Sequence, residues 1–383
     1  MVADYMGSYS GLDSDAPVDP MEYWFKCLEI WSELAQYALE IPRSQCSDDC
    51  LPGNRKVPAP SIYRCCYDCV PCSEGEISNV TGSENCMKCL DHEWPNENKT
   101  QCNVKLVEYL SFTNDKLSLF FITSTLFLCV LTSAIIAFFI VYENSPVVRA
   151  NNKNLSFVLL VSIMLSFLCV FLFLGRPVNI TCLLRQTTFG ILFAIAVSSV
   201  LAKTITVLLA FKATKPGSAW MKWVGTKLPN LIVFICSSGQ VVISIVWLTT
   251  SPPFQEVDMY SFHTTIIVQC NEGSVIGFYS ILGYIGILAA VSFMVAFFVR
   301  TLPDSFNEAK YITFSMLVVC SVWISMIPVY LSTKGKYMVA VEIFAILTSS
   351  AGLLVCIFFP KCYILLFHPE LNTKKHLLDS RNK

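Results

Sequence analysis

Long apolar runs dominate the chain after residue 116. Each of seven successive runs is long enough for the ~20 residues that a helix needs to cross the hydrocarbon core of a bilayer. They lie at 117–142, 155–175, 187–211, 230–250, 275–299, 311–331 and 338–359. Because backbone groups in lipid must be satisfied within the protein, this pattern predicts a bundle of seven transmembrane helices.

Composition narrows the function. Hydrophobic residues make up 54% of the 383 positions and charged residues only 14%, against about 25% charged in soluble domains. These proportions exclude a disordered chain, an ordinary soluble enzyme and a nucleic-acid binder driven by charge. A transporter or channel is disfavoured because seven spans do not divide into inverted repeats with paired helix breaks. Ser, His and Asp form no nucleophile motif, so we expect no enzyme and no cofactor.

The distribution of charge predicts the orientation in the membrane. The first, third and fifth connections between spans and the C-terminal tail contain thirteen Lys and Arg residues. The connections on the other side of the membrane contain four. Positive charge favours the cytoplasmic side, so the N-terminus is predicted to be extracellular and the tail cytoplasmic. Residues 1–116 hold 9 basic and 19 acidic residues, which fits a segment in a different compartment from the basic remainder.

Nine of the eighteen cysteines fall between Cys46 and Cys102. CxxC pairs at 66–69, 69–72 and 86–89 are compatible with a zinc site. The high density of cysteines on the outer side nevertheless favours a small disulfide-rich β domain. Two glycosylation sequons, at Asn79 and Asn98, agree with that location. Because nine is odd, one thiol must pair outside the module or stay free.

Two ionisable residues, Lys203 and Glu342, lie inside the predicted spans. Charges in lipid are costly, so each is a candidate for function, with snorkelling to the nearer surface as the alternative. At 1.5 Å per residue, about 20 Å along the membrane normal separates them, which argues against a direct ion pair.

The loop before the sixth span contains Phe306-Asn307-Glu308-Ala309-Lys310, and Pro360-Lys361-Cys362-Tyr363 follows the seventh. These two motifs resemble those of class C G-protein-coupled receptors. The nine-cysteine run resembles the module that joins a Venus-flytrap ligand domain to the bundle in this family. Cys270-Asn271-Glu272-Gly273-Ser274 and the stretch 328–344 resemble type-2 vomeronasal receptors and the olfactory class C receptors of fish. Calcium-sensing and taste receptors look next nearest.

The resemblance implies a pattern of disulfides. In the family the first cysteine pairs with the fourth, the second with the fifth, the sixth with the seventh and the eighth with the ninth. Here that implies Cys46–Cys66, Cys50–Cys69, Cys72–Cys86 and Cys89–Cys102. Cys65 matches the cysteine that bonds the flytrap domain. In the bundle, Cys182 and Cys270 match the bond from the third span to the second outer loop.

The resemblance also assigns roles inside the bundle. Lys203 and Glu308 match an ionic contact between spans three and six, near the cytoplasmic side, that holds the resting state. Trp323 matches the floor of the transmembrane pocket, and Phe193, Met326 and Ser349 match pocket-lining positions. Glu342 matches a carboxylate that calcium-sensing receptors use for amine modulators. No metal site is implied.

The resemblance covers about residues 42–374 and implies this organisation. The expected parts are a segment at 1–45 with a possible amphipathic helix at 21–39, a cysteine-rich domain at 46–104, a juxtamembrane linker at 105–116, the transmembrane domain at 117–360 and a cytoplasmic tail at 361–383. No stretch before Cys46 resembles a flytrap domain, so the chain looks like a truncated receptor. The fold class is therefore mainly α, with a small disulfide-rich β domain in front.

The implied function is that of a chemosensory receptor for pheromones or odorants at the plasma membrane. Closure of a flytrap domain around a small molecule or peptide would act through the cysteine-rich stalk and the bundle on a heterotrimeric G protein. The loops expected to contact the G protein are 212–228 and 300–310. A homo- or heterodimer of receptor chains is the expected assembly. The alternatives are a truncated, non-signalling subunit and a receptor of the calcium-sensing or taste kind.

Overall fold

The computed structural model describes residue 21 and residues 48–59, 66–113, 115–143, 145, 148, 152–213, 227–300 and 308–367. The predicted helix at 21–39 therefore lies outside the described residues, apart from Met21. So do Cys46, Cys65, most of both predicted G-protein loops and the tail from residue 368. The chain forms two compact units, divided after Val104.

The first unit consists of three short antiparallel strand pairs. They are β1 (Asn54–Pro58) with β2 (Tyr67–Pro71), β3 (Glu76–Ile77) with β4 (Met87–Lys88), and β5 (Glu93–Pro95) with β6 (Cys102–Val104). Strands this short bury little apolar surface. Its buried apolar side chains, among the described residues, are Cys50, Cys72, Ile77 and Cys89. Three of these four are half-cystines, so cross-links form most of the core.

Three disulfide bonds of the first unit join the cysteine pairs that the family resemblance implied. The structure joins Cys50 to Cys69, Cys72 to Cys86 and Cys89 to Cys102. Cys66 is also disulfide-bonded, but its expected partner Cys46 and the predicted interdomain Cys65 lie outside the described residues. Cross-links of this kind typically stabilise a small domain by about 2–4 kcal/mol each.

Seven long helices form the second unit. They are α1 (Lys116–Val141), α2 (Lys153–Cys169, continued by a 3₁₀ turn at Val170–Leu172), α3 (Asn179–Ala213), α4 (Lys227–Thr250), α5 (Val275–Val299), α6 (Glu308–Ser332) and α7 (Lys336–Phe367). All seven are long and apolar enough to cross a membrane. The predicted fold class, a seven-helix bundle behind a small disulfide-rich β region, is confirmed.

Two helices are longer than the hydropathy pattern predicts. α3 begins at Asn179 rather than 187, and α7 continues through Pro360 to Phe367 rather than ending at 359. The prediction stopped short because each extension contains a charge, Arg185 or Lys361. Both side chains are buried in the bundle, at 3% and 6% exposure. The expectation that Lys203 and Glu342 are the ionisable residues of the spans is therefore wrong.

A three-stranded sheet lies at one end of the bundle, called here the strand end. β7 (Leu106–Glu108) pairs in parallel with β9 (Thr265–Asn271), which pairs in antiparallel fashion with β8 (Phe254–Asp258). The segment 105–116, predicted as a linker, thus contains a strand of this sheet. Lys336, the first residue of α7, lies 2.7 Å from a Glu108 carboxylate oxygen and 3.4 Å from one of Asp115. These ion pairs attach the segment to the bundle.

α3 is the central helix, in contact with α2, α4, α5 and α6. Its apolar residues Phe193, Val197 and Val200 are fully buried. α1, by contrast, leaves large apolar side chains such as Phe120, Phe127 and Val130 exposed. That exposure is what a lipid-facing helix requires, because lipid and apolar side chains have similar polarity.

Gly277 of α5 permits close contact with Trp247 of α4. A Cβ added at Gly277 would lie 2.0 Å from Cδ1 of the buried indole. The indole cannot retreat easily, because its Nε1–H donates to the Glu272 carbonyl at 3.2 Å. The glycine therefore determines how closely these two helices approach.

Gly277→Ala should destabilise the bundle by about 1–3 kcal/mol, as overpacking of a filled core does. The measurement is the thermal unfolding midpoint of the detergent-solubilised protein. Gly283→Ala is the matched control, since a Cβ on Gly283 of the same helix meets nothing within 4 Å. Equal midpoints for the two variants would contradict this account of the α4–α5 contact.

Candidate functional site

Two buried polar clusters lie at opposite ends of the bundle. One surrounds Lys203 near the end of α3, and the other surrounds Arg185 near its start. Eighteen residues of α3 separate them, which is about 27 Å at 1.5 Å per residue. Each cluster has its own set of ion pairs and hydrogen bonds.

The Glu308 triad consists of Glu308, Lys203 and Lys361. One Glu308 carboxylate oxygen lies 3.6 Å from the Lys203 ammonium and 2.7 Å from that of Lys361. The side chains are 13%, 2% and 8% exposed, in that order. Lys203 also donates to the Ser156 hydroxyl at 2.8 Å. The triad thus joins the first residue of α6 to α3 and α7, at positions ten and six residues before the last residues of those helices. Ser156 adds α2.

The position of Glu308 suits its charge. It is the first residue of α6, where the helix dipole favours a carboxylate. Attraction between charges rises as the surroundings exclude water. For the same reason, removing one member of a buried ion pair is costly, because the remaining charge has no counter-ion.

The structure brings together Lys203 and Glu308 but adds Lys361, which the sequence argument counted only as a cytoplasmic charge. A signal for it was available. The chain stays apolar after Lys361, through Tyr363-Ile364-Leu365-Leu366-Phe367. A lysine inside a continuing apolar run is a candidate for a buried charge and not a helix end.

The Arg185 cluster lies at the strand end and consists of Arg185, Gln186, Glu272 and Glu342. The Arg185 guanidinium lies 3.1 Å from a Glu272 carboxylate oxygen, and Gln186 donates to Glu342 at 2.7 Å. Burial raises the pKa of the Glu272 carboxyl above its ordinary value, although the nearby Arg185 charge opposes that shift. Sequence reasoning missed this cluster, because it treated Arg185 as a residue of an outer connection.

The hairpin of β8 and β9 is fixed above α3. A disulfide joins Cys182 of α3 to Cys270 of β9, the bond that the family resemblance implied. Two residues beyond Cys270, Glu272 pairs with Arg185, and its carbonyl accepts the Trp247 indole N–H. A covalent bond and an ion pair therefore attach the same short stretch of chain to α3.

A small cavity lies beneath the Arg185 cluster. Its volume is about 10 Å³, close to the minimum that one water molecule occupies. The Glu342 Oε2 and the Trp323 Nε1 are buried and have no hydrogen-bond partner among the described residues. Both side chains line this cavity. An acceptor and a donor thus face one space that a small polar group could fill.

Three of the five predicted pocket residues line this cavity, namely Trp323, Met326 and Glu342. Phe193 and Ser349 do not line it. The Phe193 ring packs against the Trp323 ring at 5.8 Å between centroids, and the Ser349 hydroxyl donates to the Ala345 carbonyl of its own helix at 2.5 Å. Sequence reasoning did not identify the other residues that line the cavity, which are Phe173, Gln186, Phe189, Phe278, Leu282 and Ile346.

The two sequons lie in accessible turns of the first unit. Asn79 and Asn98 are both exposed, outside the strands. Exposure is the physical requirement for glycan attachment, since the sugar must stay in solvent. Their modification remains a prediction.

Comparison with known proteins identifies the family. The model described as "7 transmembrane sweet-taste receptor of 3 GCPR" matches residues 112–361, which is more than half of the chain. The chain belongs to the class C, or family 3, G-protein-coupled receptors. The "Nine Cysteines Domain of family 3 GPCR" matches residues 41–95. This is a family of receptors and not of enzymes, so the resemblance drawn from the sequence motifs is confirmed.

Individual relatives refine the membership. Vomeronasal type-2 receptor 26 of Mus musculus is 50% identical over 336 residues, covering 88% of this chain and 39% of that receptor. Vomeronasal type-2 receptor 116 of Mus musculus is 46% identical over 88% of this chain and 40% of that receptor. The extracellular calcium-sensing receptor of Homo sapiens is 45% identical over 90% of this chain and 32% of that receptor. The chain thus spans about two fifths of the vomeronasal relatives.

Glu272→Gln should lower the stability of this class C bundle by about 3 kcal/mol, because it leaves the Arg185 charge buried without a counter-ion. The thermal midpoint of the detergent-solubilised protein measures the effect. Glu256→Gln is the matched control on the same hairpin, where the carboxylate only accepts a hydrogen bond from the Asn271 amide. That change should cost less than about 1 kcal/mol. Similar losses in both variants would argue against a strong Arg185–Glu272 pair.

Proposed function

We propose that this chain is the stalk and signalling bundle of a chemosensory receptor of the type-2 vomeronasal kind. The observation that carries the proposal is the buried Glu308 triad, which connects three helices inside a bundle of this family. The likeness to two vomeronasal receptors, at 50% and 46% identity, supports the subfamily.

The proposed orientation places the strand end and the cysteine module outside the cell. Two lines of reasoning support it. Lys and Arg are concentrated on the connections and tail at the triad end. Disulfides form in the first unit, as expected for an oxidising compartment. The first supports a cytoplasmic triad end and the second an extracellular N-terminus.

The triad would restrain the bundle at rest. α3 and α6 can share the Glu308 carboxylate with Lys203 only while their ends stay close. Opening the cytoplasmic face for a G protein would separate those ends and break the contact. The loss of this contact would raise the free energy of the open state relative to the resting state. Allosteric coupling of this kind requires two states and a contact that differs between them.

The proposed partners follow from the family. A heterotrimeric G protein would bind at the triad end, and a second receptor chain would complete a dimer. A small molecule or peptide would act through a flytrap domain joined to the cysteine module. Cys65 is the residue proposed to link the two domains.

Glu308→Gln should raise basal signalling, because the neutral amide weakens attraction to both lysines. Lys203→Glu should do the same. The combined Lys203→Glu and Glu308→Lys exchange should restore only part of the restraint, because Lys361 would then face a second cation. A G-protein reporter in a chimera that carries a class C ligand domain measures the effect at matched surface expression.

Lys153→Gln serves as the control for this experiment. Lys153 begins α2, outside both predicted G-protein loops, and its ion pair with Glu143 is largely exposed to the surface, so its loss should leave basal signalling unchanged. If Glu308→Gln and Lys203→Glu both signal at the basal level of the unmodified chimera, the triad is no restraint.

The cavity beneath the Arg185 cluster is proposed as the centre of a pocket for cationic modulators. Glu342 is 4% exposed and presents an unpaired carboxylate oxygen there, which supports burial over snorkelling. Because the cavity is small, a ligand larger than water would have to displace the surrounding aromatic side chains. An amine could then form a charge-assisted hydrogen bond with Glu342.

Glu342→Gln should weaken binding of an amine-bearing modulator by roughly tenfold or more, the effect of losing a hydrogen bond to a charged group. Radioligand displacement by an arylalkylamine measures this affinity, and the matched neutral alcohol is the control ligand. Unchanged amine affinity, or an equal loss for the alcohol, would refute the charge-based role.

A calcium-sensing kind of receptor is the second candidate, supported by 45% identity to the human calcium-sensing receptor over 90% of the chain. The described residues hold no group of three or more His, Cys, Asp or Glu suited to a metal ion. Since Ca²⁺ also takes backbone carbonyl oxygens and waters as ligands, a Ca²⁺ titration of the full chain in membranes tests this candidate. A saturable G-protein response to Ca²⁺ would support it.

A further inference from the structure

The described residues between 105 and 115, called here the juxtamembrane segment, are attached to the strand end at several places. Strand β7 of this segment pairs with β9 over three residue pairs. The buried Lys105 donates from its ammonium to the Met259 carbonyl at 3.0 Å, next to the hairpin of β8 and β9. The Leu110 carbonyl accepts from the Gly175 N–H at 2.8 Å, in the connection between α2 and α3. A displacement of the segment therefore reaches other parts of the bundle besides α1.

One attachment of the juxtamembrane segment leads to α3. Strand β9, which pairs with the segment, is joined to α3 by the Cys182–Cys270 disulfide. Just beyond β9, Glu272 forms its ion pair with Arg185 of the same helix. Backbone hydrogen bonds, a covalent bond and a buried ion pair thus connect the segment to the start of α3.

A second attachment leads to α7. The ammonium of Lys336, the first residue of α7, lies 2.7 Å from a Glu108 carboxylate oxygen and 3.4 Å from one of Asp115. Glu108 ends β7, and Asp115 immediately precedes α1. The preceding Gly335 has a φ of +66°, and a Cβ on it would lie 3.1 Å from Cδ1 of Ile267 in β9. The start of α7 is thus in contact with both β7 and β9.

The ion pairs of Lys336 are only partly shielded from water. The three side chains are between 21% and 31% exposed, and pairs of this kind contribute modestly to stability. Their removal leaves the pairing of β7 with β9 and the disulfide to α3 in place. The loss of the Lys336 charge should therefore loosen the attachment to α7 without unfolding the strand end.

The two helices attached in this way carry the lysines of the Glu308 triad. Lys203 lies about 36 Å along α3 from the first residue of that helix, and Lys361 about 38 Å along α7 from Lys336, at 1.5 Å per residue. Glu308 belongs to α6. Helices are rigid elements that carry a displacement from one end to the other. A joint shift of α3 and α7 against α6 would move both lysines relative to Glu308.

On the basis of the proposed role of the triad as a restraint, we propose that Lys336 is a positioning residue for signal transmission. It attaches the juxtamembrane segment to α7, so that the segment moves α3 and α7 as one body against α6. Coupling between distant sites requires an element whose equilibrium both sites bias. The triad is that element, and the segment supplies the bias from the strand end. The pairs of Lys336 stay intact in both states, whereas the pairs of the triad break.

The test uses a chimera in which the ligand domain of a calcium-sensing receptor precedes this chain, with Ca²⁺ as the ligand and a G-protein reporter. Lys336→Gln should raise the Ca²⁺ concentration for half-maximal signalling by roughly twofold to fivefold, because two partly exposed ion pairs are lost. Basal signalling should not change. The chain without the added domain, given the same Ca²⁺, measures any direct effect on the bundle.

Rescue variants separate transmission from folding. Lys336→Arg retains the charge and should keep the response of the unmodified chimera. Lys336→Glu combined with Glu108→Lys should recover part of the shift, although Asp115 then faces a carboxylate. Surface expression and the thermal midpoint should be the same in all variants. A response to Ca²⁺ that is unchanged in Lys336→Gln overturns the proposal, and so does raised basal signalling, because Lys336 would then restrain the resting state.

Lys334→Gln is the matched control. Lys334 is exposed, two residues before Lys336, and in the part of the chain that the structure describes the Glu108 and Asp115 ion pairs are with Lys336. This change should leave the response to Ca²⁺ as it is. Equal shifts in Lys334→Gln and Lys336→Gln would reject the specific role of Lys336.

A double variant places Lys336 before the triad in the order of transmission. The raised basal signalling expected of Glu308→Gln should persist when Lys336→Gln is added, because the restraint has already been removed. A return to the unmodified basal level would contradict this order. A triad that is no restraint shows itself in Glu308→Gln alone, at the basal level, whereas a failed transmission role shows itself in Lys336→Gln alone, in the response to ligand. The two failures are thus distinguishable.

Discussion

The structure depends on one constraint: a charge inside an apolar bundle must find a partner within it. α3 carries Arg185 and Lys203 about 27 Å apart, at 1.5 Å per residue, and each is buried. Arg185 pairs with Glu272, while Lys203 shares Glu308 with Lys361. Because neither charge can escape to water, the helices and the hairpin that supply the partners are drawn onto α3.

At the strand end this constraint acts together with a covalent bond. The Cys182–Cys270 disulfide fixes β9 to α3, and Glu272 then reaches Arg185 with little additional ordering. Trp247 and Gly277 bring α4 and α5 close to the same stretch. The small cavity below this stretch is lined by Glu342 and Trp323, each of which has a buried polar atom with no hydrogen-bond partner among the described residues.

At the opposite end no disulfide supports the contacts among the described residues, and the triad is held together by ion pairs and by the hydrogen bond from Lys203 to Ser156. Ion pairs can break and re-form as helices move, whereas the strand end is covalently fixed. This difference is suited to a protein that keeps one end constant and changes the other.

The sequence by itself determined the seven spans and the cysteine-rich module, because hydropathy and cysteine spacing are properties of neighbouring residues, and it marked Lys203 and Glu342 as charges inside spans. Glu308 and Trp323 came from the family resemblance, and the roles of these four residues stay predictions. Sequence reasoning missed Arg185 and Lys361 as buried charges, since hydropathy treats a charge as the end of a span. Of the pocket positions that the resemblance implied, Phe193 and Ser349 do not line the small cavity beneath the Arg185 cluster. Those outcomes were decided by the tertiary structure, because whether a charge is paired or a side chain faces a cavity depends on residues far away in the chain.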